Sequence, residues 1–224
     1  MARRLLSPLT ALALTLCALV APRQVQAQVV NGSFEADNCS VTSGYRLGLS
    51  GNDMTGWYIP AGDGVYPWCI NNASGYGPAA DGNQFLVLGY YNTATQYTIQ
   101  QTLTGLTAGG VYRLDFSIAS ELNCCATAEV SFLSGSSTLA ELFTSSNSGG
   151  FWTQWAAKSA TFVADNSSVT FQFKDIVSAA DGYDLGLDAV SVSEVSVTPE
   201  PASIALVATG LLGVAGVARR RRRA

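Results

Sequence analysis

Histidine does not occur anywhere in this 224-residue chain. Its absence removes Ser-His-Asp and Cys-His nucleophilic catalysis, and with them the common histidine-based zinc sites. Positive charge is almost as scarce where a domain could use it. Between residues 28 and 198 the only basic side chains are Arg46, Arg113, Lys158 and Lys174, against fifteen aspartates and glutamates. That stretch carries a formal balance of −11, while the whole chain stands at −4 because its other basic residues sit at the two ends. No basic stripe is available to meet phosphates, so nucleic acid is not an expected partner; a cation or a neutral glycan is. A pair of carboxylates could hydrolyse a glycoside, but fifteen acids create chance pairs and no motif marks one. A non-catalytic protein is therefore expected. Long stretches of helical periodicity are also missing, apart from the two ends.

Both ends are apolar and both look like addresses. Arg3 and Arg4 precede an apolar run from Leu9 to Val20, and Val25-Gln26-Ala27 offers small residues where a signal peptidase reads. Residues 1–27 are accordingly expected to be a signal peptide, cleaved before Gln28, with Cys17 leaving with it. At the other end Ala202 to Ala218 carries no charge. As a helix at ~1.5 Å per residue it would reach roughly 25 Å, near the lower limit for a hydrocarbon core. Arg219, Arg220, Arg221, Arg222 and Arg223 follow at once, a cluster that stays on the cytoplasmic side. Pro199-Glu200-Pro201 precedes the apolar run as an extended hinge. This order of Pro-Glu-Pro, short apolar helix and terminal arginine cluster resembles the PEP-CTERM sorting signal. The resemblance, confined to residues 199–224, implies a Gram-negative source, transient membrane anchoring and removal of the tail by an exosortase-type membrane enzyme. The product would sit on the cell surface or outside the cell. The alternative is a plain single-span anchor.

Residues 28–198 are long enough for one domain with a core. "VYRLDFSIA" alternates strictly, with Tyr112, Leu114, Phe116 and Ile118 facing one way. "SVTFQFKD" does the same through Val169, Phe171 and Phe173. "QFLVLG", "YTIQQTL", "AEVSFLS", "TLAELF", "KSATFVA" and "LDAVSVSEV" are further short runs, punctuated by Gly, Asn, Asp and Ser. Many short strands predict an all-β fold, a single β-sandwich of jelly-roll type. Residues 35–83 read as long loops with few strands. Cys39, Cys69, Cys124 and Cys125 remain after export, an even count that suggests disulfides in any of three connectivities.

"VVNGSFE", "GWYI", "ADGNQFLVLG", "IQQTLTGLTAGGVYRLDFSIA", "FWTQWAAKSATFVADNSSVTFQF" and "LDAVSV" fall in an order that resembles the galactose-binding-like domains, among them carbohydrate-binding modules. The usual ending of that family is closer to Leu-Asp-Asn-Val-Ser-Val; here Ala189 replaces the Asn. The resemblance implies a non-catalytic domain holding carbohydrate or exopolysaccharide. Tyr66, Trp68, Tyr76, Tyr90 and Tyr91, in Gly- and Asn-rich loops, are the candidates for stacking on sugar rings, unless they pack over the ends of the sandwich. Trp57, Trp152 and Trp155 are assigned to the core. The other readings are a structural matrix protein acting by self-association through exposed strands, and a glycosidase-like enzyme. A structural calcium ion is also expected. Asp188 shares parity with Val190 and Val192, so it should point inward with few basic residues to pair it. The resemblance implies Glu35 and Asp188 as the calcium ligands, with Asn31 and nearby backbone oxygens completing the shell and Asp81 a weaker candidate.

Overall fold

The computed structural model describes residues 27–40, 43–60, 67–89, 96–122, 125–136, 140–176, 184–195 and Arg219. The expected signal peptide, except Ala27, and the sorting tail, except Arg219, lie outside them. No helix of the described residues is long and apolar enough to cross a membrane.

Ten strands form: β1 (Tyr45–Arg46), β2 (Trp68–Asn71), β3 (Gln84–Leu88), β4 (Thr98–Thr104), β5 (Val111–Ser120), β6 (Cys125–Ser134), β7 (Ala140–Ser146), β8 (Ala156–Val163), β9 (Ser168–Asp175) and β10 (Leu185–Glu194). They pair into a six-stranded sheet, β1-β2-β3-β10-β5-β8, and a four-stranded sheet, β4-β9-β6-β7. From β3 onward every connection crosses between the sheets except the β6–β7 hairpin. That eight-strand winding is the jelly roll, with β1 and β2 added beyond β3. Few strands precede β3, as expected for the loop-rich first half.

The alternating runs explain the sandwich. Tyr112, Leu114, Phe116 and Ile118 of β5 face Val169, Phe171 and Phe173 of β9 in one buried cluster. Trp57 closes it, with ring centroids 5.6 Å from Phe34 and 5.7 Å from Phe171. β3 breaks the alternation: all five of its residues are buried. Leu86 and Leu88 face the sandwich, while Phe85 and Val87 join a second cluster with Trp68, Ile70 and Trp152 on the outer side of the same sheet. A strand covered on both faces reads as a continuous apolar run. Gly186 of β10 lies beneath that outer cluster, and a Cβ there would stand 2.7 Å from Trp152 Cδ1, so only glycine admits the ring.

Two buried glutamines tie the chain before β1 to the sheets. Gln101 accepts from Val30 N at 2.8 Å and donates to Val30 O at 2.9 Å, standing in for a strand partner. Gln84 donates to Phe34 O and Asp37 O at 3.1 and 2.8 Å and accepts from Cys39 N at 2.9 Å. Cys39 is then disulfide-bonded to Cys69 of β2, with Cα atoms 5.5 Å apart. This excludes the two connectivities that pair Cys39 and Cys69 with the later cysteines. Cys125 opens β6, and Cys124 lies outside the described residues.

One parity expectation is corrected. Asp188 pairs with Ser117 and the next paired residue, Ser191, with Asp115, so β10 carries a bulge between them. Ala189 sits in the bulge at φ 52°. The extra residue reverses the alternation. Leu185 and Leu187 face the core before it and Val190 and Val192 after it, so Asp188 points to the outer side with Gly186. Left-handed backbone is easier for Asn than for Ala, which accounts for the Asn usual at this position in the domains the sequence resembles.

Candidate functional site

The two expected metal ligands bind one turn. Asp188 Oδ2 accepts from the backbone N–H groups of Ala80 and Asp81 at 2.8 and 2.9 Å. Its Oδ1 accepts from Ala189 N at 2.7 Å. Glu35 Oε1 accepts from Asn83 N and Gln84 N at 2.7 and 2.6 Å. Both carboxylates thus tie down residues 80–84. Gly82 at φ 70° leaves the space that Glu35 occupies. Asp188 is fully buried, and that burial pushes its carboxyl up to about 7, against the pull of the N–H groups of Asp81, Ala189 and Ala80.

Glu35 and Asp81 line a surface depression of about 460 Å³ that Asn31, Ser33 and Val190 also border. The Asn31 side chain is turned elsewhere: its Oδ1 accepts from Ala36 N at 3.0 Å and its Nδ2 donates to Asp37 Oδ2 at 2.9 Å. Among the described residues no three Asp, Glu, Cys or His side chains converge as a ready metal-binding group. The donors fit calcium in kind, being oxygens around a buried carboxylate with no basic partner, while backbone N–H groups hold part of their capacity.

The expected sugar platforms are placed differently. Trp68 is 8% exposed and packs edge-on against Tyr76 and Trp152, with centroids 5.8 Å apart in each pair. Tyr76 also meets Phe151 edge-on at 5.3 Å. These rings pack on one another over the outer face of the six-stranded sheet, with Trp68 buried and Tyr76 half-buried. Trp152 is buried as expected, and Trp155 packs against the same cluster while its Nε1 donates to Pro78 O at 2.7 Å. Tyr66, Tyr90 and Tyr91 lie outside the described residues.

An open aromatic stands on the other sheet. Tyr58 exchanges both backbone hydrogen bonds with Gln100 of β4 at 2.9 Å, acting as a fifth strand one bridge long. Its side chain is 44% exposed. Beside it runs a groove of about 350 Å³ lined by Asn52, Thr55, Tyr58, Gln100 and Thr102, with no charged residue in its wall. The outer face of the sheet continues the polar surface. Gln100 registers with Gln172 and then Ser131, while Thr102 and Thr170 share a hydroxyl contact of 2.8 Å. Gln100 and Thr102 were visible in sequence as the outward parity of "YTIQQTL". Tyr58 was not, because its position rests on one bridge between segments far apart in the chain.

The strand order defines an all-β jelly roll. The chain belongs to the family described as Protein of unknown function (DUF642), whose model matches residues 27–192. The PEP-CTERM protein-sorting motif matches residues 197–223, which implies export and C-terminal processing by an exosortase-type system. Neither of these matches describes a catalytic activity. None of the curated proteins compared matches the chain. Among solved structures, the TmCBM61 module in complex with β-1,4-galactotriose is 16% identical, covering 73% of this chain and 95% of its own, with a TM-score of 0.42. A Family 16 carbohydrate-binding module is 16% identical, covering 74% and 99%, TM-score 0.42. The CBM22-1 xylan-binding domain from Paenibacillus barcinonensis is 12% identical, covering 67% and 91%, TM-score 0.44. The ligand of each is a property of that module.

Proposed function

We propose that this is an exported surface or extracellular-matrix protein, processed at its C-terminus, whose jelly roll binds neutral carbohydrate without catalysis. The observation that carries the reading is the Tyr58 groove: an exposed ring beside an uncharged wall of amide and hydroxyl groups. A sugar ring offers an apolar face to the tyrosine and hydroxyls to Gln100, Asn52 and Thr102. The natural ligand class is extracellular polysaccharide.

A glycan array of the exported protein, with and without calcium, tests this. Specific retention is expected, and Tyr58→Ala should weaken it at least tenfold, about 1.4 kcal/mol, with the fold intact. Retention unaffected by Tyr58→Ala would remove the groove from the reading. Blank arrays together with polymerisation would favour self-association, for which the edge strand β7 with its exposed Leu142 is the natural surface.

Processing has its own measurement. Intact mass of protein taken from the native surface is expected to give a start at Gln28 and an end near Pro199. Released protein still carrying Arg219 to Arg223 would contradict a removed sorting tail.

A calcium ion on Glu35 and Asp188 belongs to the same reading, supported by the buried Asp188 that no basic side chain neutralises. An ion bound only by the folded form raises the melting midpoint by mass action. The midpoint should rise in calcium relative to chelator, and the part of that rise due to this ion should disappear in Glu35→Gln and Asp188→Asn. An equal rise in both variants and the parent excludes an ion at this turn.

A further inference from the structure

At one end of the sandwich, away from the Glu35–Asp188 turn, buried oxygens gather without partners. Asp175 ends β9 on its inward face and is 1% exposed. Asp184 stands just before β10 and is 4% exposed. Glu121 follows β5. Both carboxylate oxygens of Asp175, one of Asp184 and one of Glu121 are inaccessible and make no hydrogen bond among the described residues. The hydroxyls of Ser120 and Ser145, inward on the same ends of β5 and β7, are in the same condition. No lysine or arginine is among the groups acting on either aspartate. Gly89, after β3, adds a second sign of a shaped site: at φ 100° it brings bare backbone against Asp175, where a Cβ would collide with Oδ2.

Buried polar atoms in folded proteins are almost always satisfied, and a buried carboxylate is satisfied only by donors, a proton or a cation. We propose that this end of the jelly roll is a divalent-cation site that takes calcium between Asp175 and Asp184, with Glu121 beside Asp184. The same added Cβ on Gly89 would stand 3.6 Å from Asp184 Cα, so both aspartates border that glycine, and no ready three-ligand group forms among the described residues. The aspartate pair is therefore the seat. Calcium suits it better than magnesium because it accepts irregular oxygen shells completed by hydroxyls, backbone carbonyls and water. Burial, and then the neighbouring carboxylate, pushes Asp175 and Asp184 each up to about 8. Calcium binding near neutral pH must then displace protons, and affinity should rise with pH.

Calorimetric titration of calcium into the metal-free exported protein is the test, carried out in an Asp188→Asn background so that the turn described above does not contribute. One calcium is expected, with protons released to the buffer. Asp175→Asn with Asp184→Asn should weaken it at least a hundredfold. Terbium in its place should emit when tryptophan is excited, since Trp152 Nε1 donates to Asp184 O at 3.2 Å. A folded Asp188→Asn protein that takes up neither ion overturns the proposal and leaves a proton-sharing acid pair. Unchanged affinity in the Asp175/Asp184 variant overturns it as well. Should that double variant not fold, Glu121→Gln decides: a tenfold loss supports the site and no change overturns it.

Discussion

Trp57→Ala is expected to cost the domain about 3–5 kcal/mol, a large part of the stability of an ordinary domain. Trp57 is 2% exposed and joins the N-terminal segment to the four-stranded sheet. Its ring lies 5.6 Å from Phe34 in the N-terminal segment and 5.7 and 6.4 Å from Phe171 and Phe173 of β9. Its Nε1 donates to Asn31 O at 3.0 Å, so truncation also removes one of that carbonyl's two hydrogen bonds, the other coming from Phe34 N at 3.2 Å. Two losses therefore add: a cavity the size of an indole and one hydrogen bond. Urea unfolding followed by fluorescence measures the change, with Trp57→Phe expected to lose distinctly less. Because Tyr58 is the next residue, the Ala variant should also disturb the sugar groove, while Tyr58→Ala should leave stability nearly unchanged. A Trp57→Ala midpoint close to the parent's would mean that the indole is not the keystone of the core.

The second large effect is a fall in stability with rising pH when divalent ions are removed. In the folded protein Asp175 and Asp184 are each pushed from the ordinary 3.8 up to about 8, by burial first and then by Asp184 acting on Asp175 and Glu121 on Asp184. Asp188 adds to the same trend up to about 7. The unfolded chain releases these protons near pH 4, and the folded chain holds them. Across the interval the folded state binds more protons, so stability falls as pH rises from about 4 through about 8 and then levels off. In chelator the melting midpoint should therefore drop steadily across that interval. Asp175→Asn with Asp184→Asn should flatten the slope and raise the midpoint at pH 8. A flat profile in the parent protein would mean that these carboxylates ionise freely when folded.

The short alternating runs determined the fold class, because side-chain alternation along a strand is a local property. "VYRLDFSIA" and "SVTFQFKD" became β5 and β9 with the predicted faces inward. The targeting tail was equally legible, since Pro-Glu-Pro, an apolar run and terminal arginines are contiguous. Even cysteine parity predicted a disulfide, and scarce positive charge predicted that Asp188 would have no basic side chain to pair it.

What the sequence could not supply is everything that depends on which strand lies beside which. Pairing Cys39 with Cys69 follows from Gln84 drawing residue 39 onto the sheet next to β2. The orientation of Asp188 turned on one extra residue at Ala189, and a single bulge inverts every parity argument beyond it. Trp68 and Tyr76 look like platforms in sequence but are covered by Trp152, which arrives from a distant loop. Tyr58 becomes the open ring because it pairs with Gln100 of β4, with β2 and β3 between them in the chain. The gathering of Asp175, Asp184 and Glu121 needs the ends of β9, β10 and β5 in one place. Local pattern decides which segments are strands, and long-range packing decides which of their side chains are left to act.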